Sequence, residues 1–132
     1  MEREKSLRTI LWAAVVVNVS GAMSFAFPDS FSGRLMGLPT DVPPMYRTLT
    51  ALLILVFGGA YAWTAHRRPL LRPFVAFGAI GKAVAFAGTV FVWLAGACPL
   101  NTVVVMSADL LFAALFVWGL AGSGTSARAE GQ

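Results

Sequence analysis

Long apolar runs, separated by short polar or basic segments, dominate the pattern of this chain. Each run is long enough to cross a hydrocarbon core of roughly 30 Å as a helix, and the runs cover about residues 9–27, 46–65, 73–96 and 102–121. We therefore predict an all-α protein: an integral membrane four-helix bundle whose spans run antiparallel, up and down. The predicted domains are a cytoplasmic N-terminal segment at 1–8, a transmembrane domain at 9–121 and a disordered tail at 122–132.

The composition favours a lipid bilayer as the surrounding solvent. Hydrophobic residues make up 58% of the 132 and charged residues only 12%, against about 25% charged in an average soluble domain. The net charge is +4, and the basic residues, apart from Lys82, lie at or beyond the ends of the runs and not along one continuous face. This distribution excludes nucleic acid as the expected partner and leaves the bilayer.

The first run has a second interpretation as a cleaved signal peptide. A basic start, an apolar core and the small residues of 21–24 match that pattern loosely. The run is long for a signal core, however, and it carries Asn18 at its centre. We therefore expect it to be a retained span.

The longest connection, 28–45, carries apolar residues at helical spacing: Phe31, Leu35 and Leu38. Asp29 or Ser30 can cap the start of a helix there, and Gly37 can end it. We predict a short amphipathic helix lying in the membrane interface between spans 1 and 2. An ordered loop anchored by apolar residues, or a lid over the mouth of the bundle, are the alternatives.

Lysines and arginines are distributed unevenly between the two ends of the runs. One side holds the N-terminal segment, the loop 66–72 and the tail, whereas the other side has only Arg34 and Arg47. By the positive-inside rule, we predict that both termini are cytoplasmic. The expected location is a plasma membrane of the bacterial inner-membrane kind.

Three polar side chains interrupt the runs near their middles. At about 1.5 Å per residue, Lys82 and Asn18 lie about 15 Å from the basic side, and Asp109 lies about 12 Å from the opposite side. All three converge near the centre of the core. A lone charge there costs about 2.5–3.5 kcal/mol, so we predict that Lys82 pairs with Asp109, the only carboxylate inside a long apolar run. Tyr61, toward the cytoplasmic half of its span, can point its hydroxyl into the same centre.

Two local features predict packing around this polar centre, defined as Lys82, Asp109 and Asn18. A seam of small residues beside Lys82 allows another helix to approach closely: Gly78, Gly81, Ala85 and Gly88. Asn101, the last residue of the hairpin 97–101, is predicted to cap the fourth span.

The polar centre has three interpretations. The first is structural: a charged hydrogen bond fixes the register and topology of a small bundle. In the second, Lys82, Asp109, Asn18 and Tyr61 line a polar binding pocket at mid-membrane, as intramembrane ionisable residues often do. The third is contact with another subunit, either a protein partner or a second copy of the chain.

The remaining chemistry is sparse. The chain has one histidine, His66, and one cysteine, Cys98, so the sequence predicts no metal site, no cofactor and no internal disulfide. We interpret Cys98 as a plain loop cysteine rather than a redox thiol, because no basic residue lies near it in sequence to activate it. No catalytic residue is assigned.

The order of features resembles that of small bacterial four-helix membrane proteins of the DoxX-like kind. The resemblance covers about residues 11–120, and it rests on Phe27-Pro28, Gly37-Leu38-Pro39, Gly81-Lys82 and the stretch ADLLFA at 108–113. It implies a four-span fold and, for some members, a role as an accessory subunit of a membrane oxidoreductase. Two other four-span families do not match: small multidrug transporters need a glutamate in span 1, and quinone-reducing thiol enzymes need paired cysteines.

As function, we favour a non-catalytic role over catalysis: an accessory or scaffold subunit, or a binder of a small hydrophobic molecule. The alternative is an enzyme or transporter that acts on a lipid-soluble substrate at the polar centre. The sequence leaves the substrate and partners open.

Overall fold

The structure is a computed structural model that describes residues 2–122. Within that range the chain forms five α-helices and no strand: α1 Glu2–Ala26, α2 Phe31–Leu35, α3 Pro44–His66, α4 Arg72–Leu94 and α5 Leu100–Ala121. By length and composition, α1, α3, α4 and α5 could each cross a membrane. The predicted all-helical class is therefore confirmed. The predicted tail at 122–132 lies, apart from Gly122, outside the described residues.

Helix α1 begins at Glu2, well before the first apolar run. Glu2 and Glu4 lie in its first turn, where a negative charge stabilises the helix dipole. Glu2 pairs with Lys5 at 3.4 Å and Glu4 with Arg8 at 2.7 Å, across successive turns. These pairs, with the acidic first turn, favour continuation of the helix through the charged N-terminal segment.

The long helices pack as two closely associated pairs, α1 with α3 and α4 with α5. Contacts between α1 and α5 join the pairs, whereas α3 and α4 contact each other little. The fully buried side chains at the centre include Leu11, Tyr61, Val75 and Phe116, one from each long helix. The bundle is therefore closed on the α1–α5 side and looser between α3 and α4.

Two arginines join the helix ends on the side of the N-terminal segment. The guanidinium of Arg8 donates to the carbonyl oxygen of Ala65 at 2.5 Å, and that of Arg72 donates to Leu120 O at 2.6 Å. Carbonyls in the last turn of a helix have no partner within the helix, so basic side chains stabilise them. These bonds tie α1 to the end of α3, and α4 to the end of α5.

At the other end, the predicted short helix forms over Phe31–Leu35. Ser30 caps it, because its hydroxyl accepts from the backbone N–H of Gly33 at 3.2 Å. Gly37 follows with φ of +69°, a conformation that favours glycine. The side chains of Phe31 and Leu35 point outward, and Phe31 is 84% exposed.

The prediction that Asn101 caps the fourth span is wrong. Helix α5 begins at Leu100 with Pro99 in the capping position, and no side chain caps it. Asn101 lies inside the first turn and donates from its amide to Leu35 O at 2.8 Å, while the hydroxyl of Thr102 donates to Met36 O at 2.6 Å. These two residues therefore hold the short helix against α5.

Candidate binding cleft

Lys82 and Asp109 meet across the α4–α5 interface. The Lys82 ammonium donates to the Asp109 Oδ1 atom at 2.6 Å. Both side chains are mostly buried, with 6% and 18% of their surface exposed. In a low-dielectric environment, a short charge-assisted bond of this kind is the main compensation for removing both charges from water.

Asn18 joins this pair from α1. Its Oδ1 atom accepts from the Lys82 ammonium at 3.2 Å, and its amide nitrogen donates to Ile54 O on α3 at 3.1 Å. Asn18 comes close to α3 because residue 58 is glycine: a methyl group there would lie 3.2 Å from the Asn18 Cβ atom. One buried side chain thus connects α1, α3 and α4, and the three predicted residues of the polar centre lie together.

Two aromatic rings flank the ammonium. Its nitrogen lies 5.7 Å from the centroid of the Tyr61 ring and 5.4 Å from that of Phe112. Tyr61 also packs edge to face against Phe116, with centroids 5.5 Å apart. Rings attract a cation through their negative faces, so this packing further stabilises a buried lysine.

The small-residue seam of α4 is used over only part of its length. A methyl group at Gly78 would lie 2.7 Å from the Cε1 atom of Tyr61, so α3 approaches closely there. A methyl group at Gly81 would be in ordinary contact with Phe57, at 3.9 Å. A methyl group at Gly88 would have no neighbour within 4 Å, and Ala85 is exposed. The prediction of a close helix contact is therefore wrong for the second half of the seam, because α3 leaves α4 beyond Gly81.

The divergence of the two helices leaves a cleft of about 400 Å³, which we call the α3–α4 cleft. Its walls are mainly apolar and include Phe25, Leu53, Ile54, Phe57, Val84 and Met106. It extends from Thr50 to Tyr61, which is roughly 16 Å along a helix axis. Asn18, Lys82, Asp109 and Tyr61 line one end of it. At the other end the hydroxyl of Thr50 donates to Tyr46 O, so the charged pair and its neighbours form the polar end of a largely apolar cleft.

The mouth of the cleft lies between α3 and α4. Leu53 on α3 and Val84 on α4 both line the cleft, yet they are 59% and 64% exposed. Sequence patterns did not indicate this opening, because a lipid-facing leucine and a cleft-lining leucine are the same apolar residue in a span. The small residues of the seam are the one available signal, but in a span such residues predict a packing surface and not an opening.

The described residues contain no group of three or more histidine, cysteine, aspartate or glutamate side chains placed to hold a metal ion. Cys98 is half-buried, and its sulfur lies 3.9 Å from Thr89 O. Cys98 does not line the cleft. Its chemistry therefore resides in Lys82, Asp109, Asn18 and Tyr61.

No protein-family model matches this chain, and comparisons with curated proteins and with solved structures return no match either. The resemblance to DoxX-like proteins therefore stays a prediction.

Proposed function

We propose that this chain is a multi-pass membrane protein that binds a small hydrophobic molecule in the α3–α4 cleft, with the polar part of that molecule at Lys82 and Asp109. The observation that carries the proposal is the cleft itself, an apolar cavity of about 400 Å³ with a few polar groups gathered at one end. Small-molecule sites have this character, and their volumes run from about 300 to 1,000 Å³.

The position of the mouth supports a ligand that arrives from the bilayer. Leu53 and Val84 at the mouth lie on the faces of α3 and α4 that carry other exposed apolar side chains, such as Leu49 and Ile80, each one turn away. If these faces contact lipid, an apolar molecule enters sideways without crossing water. The polar end then lies near the membrane centre, where a charged pair without a function is costly to keep.

We further propose that the four spans run antiparallel in a bacterial plasma membrane, with both termini cytoplasmic and α2 in the opposite interface. The bonds from Arg8 to Ala65 and from Arg72 to Leu120 support the antiparallel order, since each joins the first part of one helix to the end of another. The outward-facing Phe31 supports an interfacial α2.

A pair of adjacent leucines provides the test. Leu53 lines the cleft, whereas Leu52 is similarly exposed but lies outside it. We expect that a diazirine-bearing fatty alcohol or fatty acid labels cleft residues in the wild type and in Leu52→Trp, and that Leu53→Trp, whose indole fills the mouth, abolishes this labelling. The labelled residues are mapped by peptide mass spectrometry. Labelling that spreads evenly over the exposed faces and ignores Leu53→Trp contradicts the proposal.

One observation favours the accessory-subunit role as a second candidate. A shallow groove between α4 and α5 is lined largely by alanines, including Ala76, Ala83 and Ala114. Small residues let a helix of a partner, or of a second copy, approach closely in a membrane. Ala114→Trp should then lower the oligomeric mass or partner recovery measured by native mass spectrometry, while Val104→Trp, exposed on α5 outside the groove, should not.

A further inference from the structure

The charges at the polar end of the cleft cancel. Among the described residues that line the cleft, Lys82 and Asp109 are the charged ones, and they are paired at 2.6 Å. A ligand with a charged head group would add a charge that these residues do not neutralise. Leaving a charge unpaired in a buried, low-dielectric site is strongly unfavourable. The electrostatics of this end therefore disfavour both acids and amines.

The Tyr61 hydroxyl is the first group with unused hydrogen-bonding capacity. Only 1% of the surface of Tyr61 is exposed. Its hydroxyl has no hydrogen-bond partner within residues 2–122. No fully enclosed polar side-chain atom in that range lacks a partner, so the small exposed part of Tyr61 includes this hydroxyl. Since Tyr61 lines the cleft, the hydroxyl is available to a molecule inside it.

The ion pair also has capacity left. An ammonium donates up to three hydrogen bonds, and Lys82 makes two, to Asp109 and Asn18. Asp109 accepts through Oδ1, and its second oxygen accepts from no group in the described part of the chain. Two donors and one acceptor thus meet at the end of an apolar cavity, where polar groups are normally hydrogen-bonded.

From this arrangement we infer that the ligand, if the proposed binding function holds, is an uncharged amphiphile whose head group is a hydroxyl or a carbonyl. Its oxygen accepts from the Tyr61 hydroxyl or the Lys82 ammonium. A hydroxyl head also donates to the second oxygen of Asp109. The apolar chain lies along α3 toward Thr50, where the cleft walls are hydrophobic.

A series of amphiphiles with one chain and different heads tests this inference. The purified protein in nanodiscs is labelled with the diazirine-bearing fatty alcohol, and dodecanol, dodecanoic acid and dodecylamine compete for the site. At about pH 9 the acid is ionised and the amine is largely protonated. We expect dodecanol to compete at concentrations at least about tenfold lower than either charged compound.

The outcomes separate the inference from the binding function. If the acid or the amine competes as well as dodecanol, the cleft binds amphiphiles but the uncharged-head inference is wrong. The binding function itself fails if two results occur together. The alcohol probe does not label the cleft, and any labelling by a diazirine-bearing fatty acid is not reduced by dodecanoic acid or dodecylamine.

The two tyrosines of the chain provide a matched pair of variants. Tyr61→Phe keeps the ring that packs on Phe116 and removes only the hydroxyl, so we expect dodecanol affinity to fall about five- to tenfold. Tyr46→Phe removes a hydroxyl at the start of α3, outside the cleft, and should leave affinity unchanged. Equal affinity in Tyr61→Phe and the wild type would show that this hydroxyl does not contact the head group.

Discussion

The Lys82 ammonium and the Asp109 carboxylate lie 2.6 Å apart and join α4 to α5 in the interior of the bundle. Neither residue can be replaced alone without leaving the other as an unpaired buried charge. We therefore expect Lys82→Met and Asp109→Leu each to lower the free energy of unfolding by about 3–5 kcal/mol. Thermal unfolding of the detergent-solubilised protein measures this loss.

The double variant Lys82→Met/Asp109→Leu is the control for that prediction. Replacing a buried ion pair by apolar residues of similar volume is often neutral or stabilising, so the midpoint should return to near the wild-type value. A double variant that is as unstable as the single variants would show that the two side chains do not compensate each other.

Asn18 should contribute less than either charged residue, but measurably. Asn18→Leu removes an acceptor from Lys82 and the bond to Ile54 O, and we expect a loss of about 1–3 kcal/mol. Ser20→Ala, exposed on the same helix, should change stability by less than about 0.5 kcal/mol. The same thermal assay compares the two variants, and equal stability would contradict a connecting role for Asn18.

The two ends of the α4 seam should respond oppositely to a methyl group. Gly78→Ala places a carbon 2.7 Å from the Tyr61 ring, so Tyr61 must shift, at a cost of about 1–3 kcal/mol. Gly88→Ala meets nothing within 4 Å, and replacing a helical glycine by alanine favours the helix by about 0.5–1 kcal/mol. Unfolding midpoints of the two variants decide this. Equal destabilisation by both would mean that α3 packs along the whole seam.

The proposed orientation can be tested with the single cysteine. Cys98 lies between α4 and α5, on the side opposite both termini in the proposed topology. A membrane-impermeant maleimide should label it in intact cells. In a Cys98→Ser background, Ser6→Cys on the N-terminal side should be labelled only after permeabilisation. If Ser6→Cys is labelled in intact cells and Cys98 only after permeabilisation, the topology is the inverse of the proposed one.

The level of the polar residues could be predicted from the sequence because the rise per residue of a helix is fixed. Counting from the ends of the runs, two from the basic side and one from the opposite side, predicts one depth for Lys82, Asn18 and Asp109, and the structure brings the three together. A charge inside an apolar run needs a partner, and Asp109 is the one carboxylate in such a run. The sequence therefore predicts Asp109 as the partner of Lys82. Position along a helix is local information, and the sequence carries it directly.

The packing partners of each helix could not be predicted in the same way. Gly88 belongs to the same small-residue seam as Gly78, yet only Gly78 is closely packed by Tyr61. Asn101 has the residue type of a cap, but its amide binds Leu35 O from a distant part of the chain. The α3–α4 cleft results from the angle between two helices, which depends on all their side chains together and leaves no local pattern.

The central claim is that the paired charges form the polar end of a binding cleft, and the Lys82→Met/Asp109→Leu variant tests it most directly. Unfolding temperature and dodecanol competition against the photoreactive alcohol are measured on the same preparation. The account predicts near-wild-type stability with dodecanol affinity lowered at least about tenfold, because the head group loses its charged partners. Wild-type stability together with wild-type affinity would contradict it, since the pair would then serve only the packing of α4 against α5.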